Sequence, residues 1–266
     1  MKDNDPPKSS AQVMLNKVPE ITLFFWVIKI LCTTVGETGA DFLNTTLNLG
    51  LDGVTLIMGT LLAVTLIFQF KTKKYVPGIY WLAVVLISIV GTLITDNITD
   101  KLGLPLSITT IIFAVSLSIV FAVWYKKEKT LSIHTIITTK RESFYWLAIL
   151  FTFALGTAAG DLLAETIKLG YLLSAIIFGV MIASVAISHF VFKVNAILAF
   201  WIAYILTRPL GASIGDYLSQ DLDNGGLGLG TVITSMIFLA TILATVIYLT
   251  ITKKDVIRKS NFGDQV

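Results

Sequence analysis

Seven carboxylates recur at related places in the hydrophobic stretches of this chain: Glu37, Asp41, Asp96, Asp100, Asp161, Glu165 and Asp216. Acids set inside apolar segments are costly, which makes them the first place to look for chemistry. Four of them close one short pattern, a glycine, three residues, a small residue and an aspartate. It runs from Gly36 to Asp41, Gly91 to Asp96, Gly156 to Asp161 and Gly211 to Asp216. The glycines are 55, 65 and 55 residues apart, so Gly36 to Gly156 and Gly91 to Gly211 both span 120 residues, a repeat within a repeat. Three copies add a second acid one helical turn away: Glu37 with Asp41, Asp96 with Asp100, and Asp161 with Glu165. Residues four apart share a helix face, and like charges so placed repel unless a cation, a proton or a basic side chain lies between them. The hydroxyls of Thr34, Thr38, Thr92 and Thr157 stand beside these acids. Carboxylates and hydroxyls make a hard-oxygen set suited to Mg²⁺, Mn²⁺ or Ca²⁺. Zinc or copper would favour histidine and cysteine, of which the chain has two and one. The lone Cys32 also rules out an intrachain disulfide.

Arg208, followed by Pro209, interrupts an apolar run that starts at Ala196. A guanidinium at that depth needs an acidic partner or a wet cavity, and Glu37 is the acid nearest in predicted depth. Lys29 reads as structural, snorkelling toward a membrane surface. The same motifs have a competing explanation in helix packing. Gly156 with Gly160 and Gly211 with Gly215 are small-xxx-small pairs, and Gly36 and Gly91 begin near matches, so these glycines serve close helix contact equally well. On that reading the aspartates cap the next helix or sit in the headgroup layer.

The elements that must position these residues follow from hydropathy. With 55 % hydrophobic residues, 14 % charged residues and a mean hydropathy of +0.82, the chain is an integral membrane protein. Stretches of about 20 apolar residues, enough to cross a bilayer core, occur near Ile21–Asn44, Leu49–Phe70, Gly78–Thr99, Leu102–Tyr125, Phe144–Glu165, Leu169–Phe192, Ala196–Leu218 and Leu227–Thr252. The expected fold is therefore all-α, with eight transmembrane helices as four two-helix hairpins in two pseudo-symmetric parallel halves. Odd helices carry the motif and should surround a central path, with even helices toward lipid. Of the 20 Lys and Arg, all but Lys29, Lys101, Lys168 and Arg208 fall at one set of helix ends, which the positive-inside rule makes cytoplasmic. Both termini then lie inside, and an acidic mouth that concentrates cations faces out. The domain reading is a disordered cytoplasmic tail at 1–18, a first half at 19–125, a basic linker at 126–142, a second half at 143–252 and a cytoplasmic tail at 253–266. His134 reads as linker and His189 as an interfacial residue. Leu-Gly pairs open each even helix, where glycine permits a tight turn.

The runs Val35-Gly36-Glu37-Thr38-Gly39-Ala40-Asp41, Leu155-Gly156-Thr157-Ala158-Ala159-Gly160-Asp161 and Thr207-Arg208-Pro209-Leu210-Gly211-Ala212-Ser213-Ile214-Gly215-Asp216 resemble those of a bacterial family of multi-span membrane proteins known only as uncharacterised and membrane-anchored. That resemblance covers nearly the whole chain and implies a bacterial inner-membrane location with no settled activity. A looser similarity is to repeat-built cation exchangers, whose halves bring acidic, small-residue-rich helices to a central site. The functional expectation is a cation transporter for a divalent metal such as Mn or Mg, with protons as a coupling ion. Its carboxylates would be ligands or proton carriers, and Arg208 an internal counter-ion. The alternative is a membrane assembly or sensor protein whose motifs only pack helices. An enzyme is not expected, because no nucleophile-base pair, metal triad or nucleotide loop is present. No permanently bound cofactor and no nucleic-acid partner are expected; the partners are the lipid bilayer and a small cation, and the oligomeric state is open.

Overall fold

A computed structural model describes residues 16–46 and 49–256. Eight helices long and apolar enough to cross a membrane are present among them: α1 (Leu23–Asp41), α2 (Gly50–Lys71), α3 (Pro77–Asp96), α4 (Leu106–Glu128), α5 (Thr139–Asp161), α6 (Tyr171–Phe190), α7 (Ala196–Ser219) and α8 (Gly230–Thr252). The eight hydrophobic stretches map onto them one to one. Helix starts use local signals: Thr22, Thr138 and Asn195 cap α1, α5 and α7 through their side chains, and Pro77 opens α3. Positive φ at Gly50, Gly103, Gly170 and Gly230 turns the chain into each even helix.

The odd helices form an inner ring in which α1 packs on α3, α3 on α5, α5 on α7 and α7 on α1. The motif glycines make that closeness possible. Gly36 lies against Ser88, Gly91 against Phe153, Gly156 against Arg208 and Gly211 against Thr33. Each contact residue stands three places before the motif glycine of the following repeat, so one seam recurs four times and the last closes on the first. In lipid no hydrophobic force drives helices together, and small residues gain their place by admitting dispersion contacts between backbones.

The outer layer differs from four hairpins. Each even helix packs against the odd helix of the next repeat, α2 on α3, α4 on α5, α6 on α7 and α8 on α1. The cause is the connection. In the first three repeats the helix passes straight from the motif aspartate into a five-residue π-helical turn, Phe42–Thr46, Asn97–Lys101 and Leu162–Thr166, which leads the chain outward to the neighbouring seam. The aspartates do not cap the even helices, whose N-caps are Leu49, Pro105, Gly170 and Leu229. Even helices expose rows of large apolar side chains, including Leu56, Phe68, Ile111, Ile119, Ile176, Met236 and Leu243, as lipid-facing helices do.

The basic end is stapled shut by polar contacts. Lys17 donates to Glu142 at 2.6 Å and to the Phe70 carbonyl at 3.0 Å, and Gln69 donates to the other Glu142 oxygen at 3.0 Å. Tyr75 donates to Asp255 at 2.7 Å. Burial, and then the Asp255 charge, push its phenol well above the ordinary value, so it stays a donor. Asn16, Lys17 and Val18 are thus docked rather than part of a loose tail, while residues 1–15 and 257–266 of the expected tails lie outside the described residues. The linker is shorter than expected, because α4 runs to Glu128 and α5 begins at Thr139, and Ile133 and Ile136 between them are buried.

Candidate functional site

Along the inner face of each odd helix the same stripe recurs every four residues, a rise of about 6 Å per layer. From the acidic end, the first layer is Asp41, Asp96, Asp161 and Asp216. Next come Glu37, Thr92, Thr157 and Ala212, then Thr33, Ser88, Phe153 and Arg208. Below these lie Lys29, Val84, Ile149 and Tyr204, and last Phe25, Tyr80, Tyr145 and Phe200. Each layer draws one residue from each repeat.

Arg208 decides the geometry of the second layer. Its side chain is wholly buried, and Nη2 donates to Glu37 Oε2 at 2.9 Å, Thr92 Oγ1 at 2.5 Å and Thr157 Oγ1 at 2.7 Å. Those acceptors hold the same position in the other three repeats, and the small Ala212 of its own repeat leaves room for the guanidinium. Nη1 donates to the Thr33 carbonyl at 3.4 Å. The ion pair with Glu37 expected from depth is present.

Glu37, Asp161 and Asp216 converge above it, with one carboxylate oxygen from each within 4.8 Å of the others. Hard cations ligated at about 2.0–2.6 Å bridge oxygens up to about 4–5 Å apart, so one such ion spans this set. Glu37 and Asp216 are buried and Asp161 is half-buried. Asp41 and Asp96 are half-buried and within electrostatic reach of Glu37. Asp100 and Glu165 are exposed at the rim, where they accept from Thr99 at 2.9 Å and Tyr171 at 3.2 Å. All seven sequence-predicted acids therefore surround one acidic mouth.

The hydroxyls divide. Thr92 and Thr157 face the site, whereas Thr34 bonds back to the Ile30 carbonyl at 3.2 Å and Thr38 to the Thr34 carbonyl at 3.2 Å and Ser235 at 2.8 Å. Thr38 ties α1 to α8 and Thr34 bonds within α1, so neither joins the carboxylates. The glycines Gly36, Gly91, Gly156 and Gly211 sit in the seams, with Gly160 near Ala212 and Gly215 near Thr38. Lys29 departs furthest from expectation. It does not snorkel; it is fully buried, with Nζ 3.2 Å from Thr207 Oγ1 and over the Phe153 and Tyr204 rings. An α1 that is walled in by α3, α7 and α8 offers a lysine this deep no route to a surface.

Two features escaped the sequence reading. The π-helical turns have no composition signal. The aromatic layer did have one: Phe25-Trp26, Tyr80-Trp81, Tyr145-Trp146 and Phe200-Trp201 recur at the intervals of the glycine motif. In that layer the Tyr80 and Tyr145 hydroxyls bond to each other at 2.5 Å, and the rings pack in edge contacts along each helix and tilted contacts between helices, Phe25 on Phe200 and Tyr80 on Trp146.

A family model described as a Repeat of Unknown Function (DUF347) matches the chain four times, at residues 24–75, 79–130, 144–195 and 199–255. Each match takes in most of one odd helix and the even helix that follows. No curated protein and no solved structure matches the chain.

Proposed function

The chain belongs to the DUF347 repeat family, and from that premise and the site geometry we propose that it is a transporter that carries a divalent cation such as Mn²⁺ or Mg²⁺ across a bacterial inner membrane. The observation that carries this reading is the convergence of Glu37, Asp161 and Asp216 on one ion-sized space, directly above a guanidinium already paired to one of them. Three like charges that close repel unless a cation or protons sit among them. Arg208 then acts as a tethered stand-in: it holds Glu37 when no cation is bound and yields it when one arrives. The acidic mouth gathers cations, and the aromatic layer seals the basic end, so this conformation supports access from the acidic side alone. By the distribution of lysine and arginine, that side is the outer one and both termini are cytoplasmic.

The measurement is Mn²⁺ entry into vesicles reconstituted with the purified protein. Asp161→Asn keeps side-chain volume while removing charge and is expected to abolish entry with folding intact, whereas Glu37→Gln is expected to abolish entry and also to lower thermal stability, because it leaves the buried Arg208 without its ion partner. Wild-type flux in both variants would falsify the carboxylate site. A second reading, a membrane assembly or sensor protein, draws on the motif glycines lying in the helix seams. It expects those same carboxylate variants to be silent and seam variants to unfold.

A further inference from the structure

The segment just before α1 crosses the basic end of the inner ring. Asn16, Lys17 and Val18 are buried there. The Lys17 backbone donates to the Ile136 carbonyl at 3.1 Å, before α5, and the Asn16 carbonyl accepts from the Tyr75 backbone at 3.0 Å, before α3. Lys17 Nζ reaches Glu142 on α5 and the Phe70 carbonyl on α2. Farther on, the Glu20 backbone donates to the Asp255 carbonyl at 3.0 Å, beyond α8. One short strap thus holds together the basic ends of α2, α3, α5 and α8.

The strap reaches the aromatic layer through two residues. Tyr75, held through its backbone, donates to Asp255, accepts from the Trp81 indole at 3.1 Å and packs edge-on against Tyr80. Glu142, held by Lys17, lies three residues before Tyr145 on α5, so the two are neighbours on the helix surface. The Tyr145 hydroxyl in turn bonds to that of Tyr80. The rings at the basic end are therefore tied to the strap on both α3 and α5.

Two observations set the strap apart from the packing of the ring. Neither partner of the Lys17–Glu142 pair falls within any of the four repeat matches, whereas the glycine seams recur in every repeat. The strap is also polar and incompletely paired. Asn16 Oδ1, Gln69 Oε1 and Asp255 Oδ1 are buried with no hydrogen-bond partner among the described residues, and a buried acceptor without a donor is costly. Hydrogen bonds to protein are exchanged for bonds to water at modest net cost, and release hydrates these three acceptors. The strap is thus balanced between shut and open while the four seams stay whole.

We propose that residues 16–20 form the inner gate of the transporter, an inference that rests on the cation reading above. Closed, the strap locks the aromatic layer and leaves the carboxylates open to the acidic side alone. Released from Glu142 and Tyr75, it frees α3 and α5 to part at the basic end, where the cation leaves.

The test uses the full chain in vesicles with Mn²⁺ as probe. The backbone hydrogen bond keeps the Lys17 and Ile136 Cα atoms within about 7 Å, in disulfide range. Lys17→Cys with Ile136→Cys, in a Cys32→Ala background with Glu142→Gln to avoid an orphaned charge, therefore locks the strap on oxidation. Mn²⁺ entry is expected to be lost in the oxidised protein and to return with reductant. Lys17→Met with Glu142→Gln removes both charges and is expected to raise the initial rate of entry about tenfold, the effect of taking one charge-assisted hydrogen bond from a two-state lock. Thermal unfolding checks that each protein is folded, and the cysteine protein decides alone where the other is not. Entry that continues through the fully crosslinked protein overturns the gate, as does a folded Lys17→Met, Glu142→Gln protein that conducts at the wild-type rate. Absence of Mn²⁺ entry in the wild type overturns the transport reading and the gate with it. Entry that is indifferent to Asp161→Asn but stopped by the disulfide overturns the carboxylate site and upholds the gate.

Discussion

Arg208 is held by one residue from each of the other three repeats, so its removal unties all four inner helices at once. The largest part of the loss is electrostatic. Taking away one partner of a buried pair costs about 3–5 kcal/mol, because the other charge is left uncompensated. Arg208→Ala should therefore destabilise the protein severely, and adding Glu37→Gln should restore part of the loss, since the orphaned carboxylate is gone. Thermal unfolding of the two variants in one detergent measures this, and a double variant no more stable than the single one would contradict it. Lys29 behaves differently, for it has no ion partner to orphan. Lys29→Met should leave stability within about 1 kcal/mol of wild type or raise it, because an apolar chain only one atom shorter fills most of the same space without a polar amine to bury.

At the level of elements, the seams depend on glycine where a Cβ would strike a neighbouring helix. At Gly91 an added Cβ would fall 2.7 Å from the Phe153 Cβ and 3.2 Å from the Ala154 nitrogen, whereas at Gly179 on the outer helix α6 nothing lies within 4 Å. Gly91→Ala should cost about 1–3 kcal/mol through overpacking, while Gly179→Ala should be neutral or gain up to about 1 kcal/mol from helix propensity. Equal effects at the two positions would deny the inner ring. The π-helical turns after Asp41, Asp96 and Asp161 belong to the same scale. They end an inner helix at a carboxylate and carry the chain sideways, and π turns recur at functional sites because they aim side chains that a regular helix would bury differently. The fourth repeat lacks one and continues as α-helix to Ser219.

At the level of the whole molecule the ring must close between its first and last helices. Thr38 on α1 and Ser235 on α8 meet at 2.8 Å. In a Cys32→Ala background, Thr38→Cys with Ser235→Cys should therefore crosslink under mild oxidation and hold the two halves together after cleavage of the 129–138 connection. Fragments that separate without reductant would show that α8 does not return to α1. Eight spans also place both termini on one side, so reporters fused to either end should agree; opposite signals would require an odd number of crossings.

Much of this was legible in the chain because it follows from short-range rules. Segment length and hydropathy determine that there are eight spans, since backbone polar groups in lipid demand helices of that length. The spacing of the glycine motif determines the four-fold repeat, and the Leu-Gly pairs mark the turns. Even the pairing of Arg208 with Glu37 could be read from depth, because an apolar interior leaves a guanidinium few partners. Tertiary structure alone decided which repeat each even helix packs on, because a π-helical turn has no residue code and the choice of seam is made by contacts far apart in sequence. It also decided that Thr92 and Thr157 face the site while Thr34 and Thr38 do not, since four residues along a helix return to nearly the same face and the neighbours settle the rest. Lys29 is the clearest case. Its type and position suit a snorkelling lysine, and only the enclosure of α1 by three other helices turns it into a buried amine beneath the acids.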